Sequence, residues 1–238
     1  MAANSKITNQ LPAQYSPYLS EARKKFLKIL LFFVVGLMAG MAYYQQILNW
    51  LIGVFKLDGV NLVLTSPFQF IGLAVTTGLV TGFALCFPLF IYYLLDFVKP
   101  ALSVKEFRLV SRLMPISIML FVTGFIVGIW VVQFVIDLFS STSTGFQLEN
   151  IWDLSSFLSQ ILLAGISLAL IFQLPVVLTI LIRLKIISLQ AVKDKRKVIY
   201  SVLLIAGAFF SPGADMFTFV IFTLASLFLF EITLLFNQ

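Results

Sequence analysis

The feature that most restricts the fold is a set of long stretches that carry almost no charge. Apolar segments at about 26–47, 68–95, 113–136 and 156–182 each run for 22 to 28 residues. At 1.5 Å per residue, a helix of this length crosses the roughly 30 Å hydrocarbon core of a bilayer. A water-soluble domain buries its apolar residues in shorter, periodic runs. The sequence therefore predicts an all-α, polytopic membrane protein.

Two further apolar segments, at about 198–210 and 216–236, follow near the end of the chain. The uninterrupted apolar part of each corresponds to only about 20 Å of helix. Ser211-Pro212-Gly213 separates them, and because proline cannot continue a helix, they predict a short hairpin with a water-facing tip. One long kinked helix is the rival interpretation. With a polar tail at 1–15, this gives a six-helix transmembrane domain over 16–238.

Helix-start signals add a detail at the beginning of this domain. Ser16-Pro17 places a capping hydroxyl before a proline at the first helical position. We therefore expect helix from Pro17, before the chain enters lipid. The residues between Pro17 and Phe26 are mostly polar on all but one face, which suits a helix near the lipid headgroups.

The distribution of lysine and arginine predicts the orientation. Five basic residues lie before or at the edge of the first span, four lie within 96–112 and six within 183–197, whereas Lys56 is the remaining one. Positive charge accumulates on the cytoplasmic or equivalent face of membrane proteins. Both termini are therefore predicted on that face. The net charge of +6 reflects topology, and no basic and aromatic groove pattern suggests nucleic-acid binding.

The residue inventory argues against catalysis. The chain has no histidine and one cysteine, Cys86, which sits in an apolar stretch. Histidine-dependent nucleophile triads, zinc motifs and disulfides within one chain are thereby excluded. We predict a protein that is not an enzyme and has no cofactor and no metal.

Carboxylates on the basic side are the first candidates for function. They are Glu21, Asp96, Glu106 and Asp194. Spacing alone pairs Glu21 with Lys25 across one helical turn. Glu106 has no cation among its helical neighbours and is predicted to be available to an outside cation, although a solvated loop carboxylate is the more common case. Asp58, Glu149 and Asp153 are predicted to be solvated charges of the opposite side.

Polar residues inside the membrane are the second set. Gln173 and Pro175 lie in the fourth span, with Gln160 earlier in it. Pro175 cannot donate to the carbonyl of Ile171, so we expect an opened turn with polar character. The alternative is a kinked helix whose glutamine bonds a neighbouring helix. Glu231, near the end of the sixth span, is expected to reach the basic interface.

Several motifs together resemble one family. They are Tyr18-Leu19-Ser20-Glu21-Ala22-Arg23-Lys24-Lys25, Ser66-Pro67-Phe68, Phe97-Val98-Lys99-Pro100-Ala101-Leu102 followed by Glu106 and Arg108, Phe172-Gln173-Leu174-Pro175, and Lys195-Arg196-Lys197 before the turn that contains Asp215. In this order and spacing, over about 16 to 236, the chain resembles the TatC family, the signal-recognising core of the twin-arginine protein translocase.

The resemblance implies a concave, glove-like protein that binds the twin-arginine signal peptides of folded cargo. It also implies assembly with single-span TatA/TatB-type subunits, in homo- and hetero-oligomers, for transport driven by the protonmotive force. In the family, the positions of Glu21 and Glu106 recognise the signal arginines, and Arg23 and Phe97 belong to the surrounding motif. Forked bonds between guanidinium and carboxylate suit that role.

Two departures from the family pattern matter. Many bacterial members carry glutamate at the position of Gln173, and glutamine is a pattern of the cyanobacterial and plastid branch. This favours a thylakoid membrane, with a bacterial cytoplasmic membrane as the alternative. The turn before Asp215 is also one residue longer than the common form. Ser211 and Thr218 are candidates for docking a partner helix, or equally for a hydrogen bond inside the fold.

Two other functions remain open from the sequence. A secondary transporter would place Gln173, the broken fourth span and the final hairpin around a solute site near the midplane. The absence of an evident internal repeat and the small number of intramembrane charges argue against it. A purely structural scaffold would tolerate replacement of Glu21 and Glu106 without loss of function.

Overall fold

The computed structural model describes residues 16–54, 60–99, 102–145, 150–212 and 215–237. These residues are almost entirely helical, which confirms the all-α class. In chain order, the elements within these ranges are α1 (Ser16–Ala42), α2 (Tyr44–Val54), β1 (Val60–Val63), α3 (Gln69–Val98), α4 (Val104–Gly145), β2 (Asn150–Asp153), α5 (Leu154–Ile171), α6 (Leu174–Arg183), α7 (Leu189–Asp194), α8 (Arg196–Phe210) and α9 (Met216–Phe236).

Five helical segments of the described chain are long and apolar enough to cross a membrane. They are Arg23–Ala42, Gln69–Asp96, Val104–Phe139, Leu154–Arg183 and Met216–Phe236. The chain is therefore an integral membrane protein. Helix α8 has 15 residues, about 22 Å, and is shorter than these segments. Helix α9 has 21 residues because it continues beyond the uninterrupted apolar run, so α8 is the short member of the final hairpin.

Helix boundaries differ from the hydropathy limits where local chemistry intervenes. Helix α1 begins at Ser16, before the apolar stretch, at the serine-proline start signal. Helix α4 extends over 42 residues, well past the apolar segment at both ends. The fourth apolar segment is divided, since α5 ends at Ile171 and α6 begins at Leu174. Pro175 lies in the first turn of α6, where its missing N–H is tolerated.

Close glycine contacts join α1 to α3. A Cβ built on Gly36 would lie 3.1 Å from the Cα of Gly82, and one built on Gly40 would lie 2.9 Å from the Cα of Gly78. Each helix thus presents a G-x-x-x-G pair to the other in antiparallel order. Without a hydrophobic driving force between helices in lipid, such small residues allow the backbones to approach and gain dispersion contacts.

Helices α4 and α5 also pack through close contacts of small residues. A Cβ on Gly124 would lie 2.8 Å from the Cα of Ala169, and a Cβ on Gly128 would lie 2.7 Å from the Cα of Gly165. The most deeply buried apolar residues lie around this contact, and several of α5 are fully inaccessible, among them Ile161, Ala164 and Leu168. Helix α5 is therefore the central helix of the bundle.

Ion pairs and hydrogen bonds gather the basic ends of the helices at one end of the bundle, here called the basic end. Lys25 at the start of α1 pairs with Asp96 at the end of α3 at 2.8 Å. Arg183 Nε donates to Asn237 Oδ1 at 3.2 Å, which links the ends of α6 and α9. The carboxylate of Glu231 accepts from Tyr200 and lies 3.5 Å from Arg196, both on α8. This arrangement agrees with the one-sided distribution of cations.

A parallel pair of strands lies at the opposite end of the bundle. Val60 to Val63 of β1 align with Asn150 to Asp153 of β2. This pairing connects the α2–α3 segment with the α4–α5 segment, which are distant in sequence. The two strands belong to segments at the end of the bundle away from most of the cations.

Candidate functional site

Glu106 is fixed at the start of α4 by a capping box. Its Oε2 accepts from the backbone N–H of Ser103 at 2.8 Å and from Ser103 Oγ at 2.7 Å, while Glu106 N–H donates to Ser103 Oγ at 3.4 Å. The motif satisfies backbone donors at the helix start. The sequence predicted no cation among the helical neighbours of Glu106, and the local partner observed here is a neutral residue, Ser103, one turn earlier. The bonds in the described structure use one carboxylate oxygen, and the side chain is only half-buried.

Lys185 exerts a weak attraction on Glu106, smaller than the effect of the Ser103 hydrogen bonds. It adopts a left-handed backbone conformation with φ of 57°. Around it, Lys185 N–H donates to the Ile182 carbonyl and Ile186 N–H to the Leu181 carbonyl, each at 3.0 Å. This is a Schellman ending of α6, in which glycine is usual at the left-handed position. A lysine there costs roughly 1–2 kcal/mol in backbone strain.

The loop from α3 to α4 brings the two predicted recognition segments to the same end of the bundle. Asp96 forms an ion pair with Lys25 of α1, and the positive charge of Lys99 also acts on its carboxylate. The Lys99 ammonium lies 5.4 Å from the centre of the Phe107 ring, next to Glu106. Charged and aromatic groups thus connect the start of α1 with the start of α4.

The remaining predicted recognition residues are placed only in part. The backbones of Glu21 and Phe97 belong to α1 and α3, but their side chains lie outside the described residues. Arg23 is exposed. Because Glu21 is one turn before Lys25 and Phe97 follows Asp96, the Lys25–Asp96 ion pair holds these two backbone positions at the basic end. Lys25 has Asp96 as a partner that helical spacing did not reveal.

Gln173 is buried at the break between α5 and α6 and serves the fold. Its Oε1 accepts from Ser117 Oγ of α4 at 2.6 Å, and its Nε2 donates to the carbonyls of Ser117 at 3.2 Å and of Ala169 at 3.3 Å. Of the two alternatives from the sequence, the observed one is the kinked helix whose glutamine bonds a neighbouring helix. Pro175 is half-buried beside it in α6.

Ser211, Asp215 and Thr218 form an internal cluster at the end opposite the basic end. Asp215 caps α9 by accepting from Thr218 N–H at 2.8 Å and from the Thr218 hydroxyl. The oxygens of Ser211 and Thr218 are 2.9 Å apart. Ser211 and Thr218 are buried. A cavity of about 230 Å³ adjoins the cluster and is also lined by Gln160.

Asp153 is a residue whose role the sequence reasoning missed. It was expected to be solvated, but it accepts from the Thr65 hydroxyl, from the Ser156 N–H at 2.8 Å and from Gln69 Nε2 at 2.7 Å. These donors, the Thr65 hydroxyl foremost, hold the pKa of the Asp153 carboxyl well below its usual range. An aspartate immediately before a helix start is a local signal for an N-cap. No pattern in the sequence identifies Thr65 and Gln69 as its partners across the bundle.

The charged groups of the described structure offer no metal site. No three of its histidine, cysteine, aspartate or glutamate side chains come together in a group that could hold an ion. Cys86 is buried, and its Sγ lies 3.6 Å from the carbonyl of Ile29.

Comparison with known proteins identifies a family. A family model described as TatC, Sec-independent protein translocase protein, matches residues 17–224. The chain is 29% identical over 226 residues to the Sec-independent protein translocase protein TatCy of Bacillus subtilis, covering 93% of this chain and 87% of the relative. It is also 29% identical over 174 residues to an uncharacterized tatC-like protein ycf43 of Gracilaria tenuistipitata, covering 73% of each chain.

The fold also has a solved counterpart. A crystal structure described as the twin-arginine translocase receptor TatC in DDM superimposes with a TM-score of 0.81 at 22% sequence identity. The similarity covers 93% of this chain and 99% of that one. At this identity, the match establishes a shared fold.

Proposed function

Because the chain belongs to the TatC family of Sec-independent protein translocase proteins, we propose that it is the core receptor subunit of a twin-arginine protein translocation system. It binds the twin-arginine signal peptides of folded precursors at its basic end. It then nucleates transport driven by the protonmotive force. The names of its relatives and of its structural counterpart support this proposal.

The observation that carries the proposal is the fixed carboxylate of Glu106. Ser103 holds Oε2 in place, so the side chain is oriented before a ligand arrives. Pre-orientation lowers the entropy cost of binding. A guanidinium suits such an acceptor because it forms forked, charge-assisted bonds that lysine cannot reproduce.

Glu21, Arg23 and Phe97 complete the proposed signal-binding site. The Lys25–Asp96 ion pair and the contact of Lys99 with Phe107 support their convergence on Glu106. In the resting protein, Lys185 partly offsets the charge of Glu106. An incoming arginine therefore displaces a weak, solvent-screened interaction, which costs little.

The proposed docking site for single-span TatA/TatB-type subunits is the α8–α9 hairpin near Ser211, Asp215 and Thr218. Helix α8 exposes Val202, Ile205 and Phe209 along one face, which suits contact with a partner helix within lipid. The hydroxyls of the cluster serve the hairpin itself. Gln173 and Pro175 contribute indirectly, by shaping the break that positions α6.

We further propose six transmembrane spans with both termini on the positive side. Helix α8 is then the short span, and the bilayer thins around it. A plastid thylakoid membrane is favoured, supported by the similarity to the tatC-like proteins ycf43 of Gracilaria tenuistipitata and Cyanidium caldarium. A bacterial cytoplasmic membrane is the alternative, because the Bacillus subtilis relative has the same identity, 29%, over a longer stretch of 226 residues.

The test is photocrosslinking of a twin-arginine precursor to the full chain in membranes, with two variants that separate charge from helix capping. Glu106→Gln removes the charge, but glutamine still serves the capping box. Ser103→Ala weakens the cap by about 1 kcal/mol and keeps the carboxylate. We expect Glu106→Gln to lose the crosslink at unchanged protein level, and Ser103→Ala to weaken it without abolishing it, because the charge is kept but its pre-orientation is lost.

A precursor with lysines in place of its two arginines and the variant Glu21→Gln extend the test. Both are expected to lose the crosslink. Equal crosslinking in every case would contradict the receptor proposal. The competing secondary transporter is less well supported, because the Gln173 amide that would line its solute site is bonded to Ser117 and Ala169.

A further inference from the structure

An apolar groove of about 230 Å³ lies between α3, α4 and α6, in the half of the bundle near the basic end. It runs from Ser117, at the level of Gln173, to Ile186 beyond the end of α6. Its walls are almost entirely hydrocarbon, and its lining includes Leu94, Leu95, Leu113, Met114, Ile180 and Leu181. A space of this kind is not filled by water, because water finds too few polar partners there.

The size of the groove limits which molecules it can hold. From Val110 to Ser117 it follows two turns of α4, about 10 Å. An apolar cavity of about 150 Å³ accommodates one benzene ring, so by proportion this groove takes on the order of nine carbon atoms. In extended form, such a chain is about as long as the groove. A peptide helix, about 10 Å across with its side chains, is too wide.

The groove opens sideways, toward the surroundings of the bundle. Leu94 at its rim is 44% exposed and Ile186 is 65% exposed. For a membrane protein, these surroundings are lipid. A hydrocarbon chain can therefore enter from the bilayer without crossing a polar barrier.

Two exposed cations adjoin lining residues of the groove. Lys185 is exposed and lies between Leu184 and Ile186, both of which line the groove. Arg112 is exposed and immediately precedes the lining residue Leu113. Two carboxylates lie nearby: Asp96 follows the lining residue Leu95 and is paired with Lys25 at 2.8 Å, and Glu106 is hydrogen-bonded by Ser103. The rim thus suits an anionic group attached to the hydrocarbon chain.

We propose that this groove binds one acyl chain of an anionic membrane lipid, with its headgroup between Lys185 and Arg112. The bound lipid fills the space beside the Gln173–Ser117 contact and supports the α3, α4 and α6 ends that present Asp96, Glu106 and Lys185. The proposal does not depend on signal-peptide recognition, and each can fail without the other.

The test uses the full chain reconstituted in bilayers that contain phosphatidylglycerol or phosphatidylcholine with a photoreactive acyl chain, followed by mass spectrometry of the labelled peptides. Met114→Trp fills the groove. Met119 lies on the same helix and is 70% exposed, so Met119→Trp is the matched control. We expect Met114→Trp to lower labelling of groove peptides by about tenfold, because the indole occupies the space. Met119→Trp leaves it unchanged.

Two more variants complete the design. Leu94→Trp fills the groove from α3. It replaces Met114→Trp in the experiment if that variant does not fold. Lys185→Asn, with asparagine tolerant of the left-handed conformation, is expected to lower the preference for phosphatidylglycerol roughly threefold, as for one exposed charge contact. Lys195→Asn, another exposed lysine of the basic end, is its control.

Several results would overturn the proposal. One is labelling of groove peptides no stronger than that of the Met119 face, and another is equal labelling in the Met114 and Met119 variants. A third is equal labelling by the two lipids. Loss of labelling when a twin-arginine precursor is added, or when the chain self-associates at high concentration, would assign the groove to a protein occupant.

Discussion

Gln173 and Ser117 join the fourth apolar segment to α4 through reciprocal hydrogen bonds. Ser117 Oγ donates to Gln173 Oε1 at 2.6 Å, and Gln173 Nε2 donates back to the Ser117 carbonyl at 3.2 Å. Both side chains are buried. A glutamine that from sequence suggested a solute or partner contact therefore supports the helix break that Pro175 creates.

The first prediction concerns this pair. We expect Gln173→Ala to lower the free energy of unfolding by about 1–3 kcal/mol, because it leaves buried polar groups of Ser117 without a partner. In a double-mutant cycle with Ser117→Ala, the coupling energy should be about 0.5–1.5 kcal/mol. Thermal unfolding in detergent measures both. Gln160→Ala, on the exposed part of α5, is the control and should change little; a coupling near zero would contradict the structural role.

The second prediction concerns glycine packing between α1 and α3. A Cβ on Gly78 would lie 2.8 Å from the Leu37 carbonyl oxygen, which belongs to the backbone and cannot move aside. Gly78→Ala should therefore destabilise the protein by about 1–3 kcal/mol. At Gly72 on the same helix, no atom lies within 4 Å of the added Cβ. Gly72→Ala should be neutral or stabilising by up to about 1 kcal/mol.

Unfolding temperatures of these two alanine variants, measured side by side, give the comparison. Helix propensity acts on both in the same direction, so any difference between them reports the contact with α1. Equal stability of the two variants would mean that the close approach of α1 and α3 does not stabilise the fold.

The third prediction concerns the strained ending of α6. Lys185 has φ of 57°, a conformation that glycine adopts without steric cost. Lys185→Gly should be more stable than Lys185→Ala by about 1 kcal/mol, since both remove the charge but only alanine keeps the strain. Chemical or thermal unfolding of the two variants checks this. If alanine were equally stable, the left-handed conformation would not be maintained in the protein.

The fourth prediction concerns pH and Asp153. Its pKa is held below the usual range by the Thr65 hydroxyl, the Ser156 N–H and the Gln69 amide. A lowered pKa in the folded state means that the carboxylate contributes stability above the ordinary aspartate pKa of about 4, and that this contribution declines as the pH falls toward the folded-state pKa. Asp153→Asn should therefore be less stable than the native chain at pH 7.

The difference between native and Asp153→Asn should narrow below about pH 4, because the carboxyl of the unfolded native chain takes up a proton there while that of the folded chain, with its lowered pKa, stays ionised. Unfolding temperatures at pH 7, 5, 4 and 3 provide the measurement. Asparagine still caps a helix through its side-chain oxygen, so the cap is kept while the charge and one acceptor oxygen are lost. A constant difference over this range would exclude the ionised carboxylate as its source.

The sequence was informative where the signal lies within one segment. Uncharged runs predicted the apolar helices, and the Ser16-Pro17 signal predicted the early start of α1. The Ser211-Pro212-Gly213 break predicted the end of α8 before α9. The serine-x-x-glutamate spacing of Ser103 and Glu106 is likewise a local signal, typical of a capping box at a helix start.

Pairings between segments carried no such signal. Asp153 binds Thr65, 88 residues away, and Gln173 binds Ser117, 56 residues away. A serine or threonine in an apolar run has no marker of its partner. The glycine pairs of α1 and α3 were visible as two G-x-x-x-G patterns, but which helices they join depends on the packing of the whole bundle.

The sequence by itself determined that this chain resides in a membrane, which end of it gathers the cations and which family it resembles. Hydropathy, charge bias and motif order are properties of single segments and need no tertiary contact. The tertiary structure alone decided that Glu106 is oriented by Ser103 with Lys185 nearby, that Gln173 is bonded within the fold, and that α3, α4 and α6 leave an apolar groove. These three features depend on how far each helix is rotated and how closely it packs against its neighbours. Small residues such as Gly78 and Gly128 set that packing, because they allow the helix backbones to come into close contact.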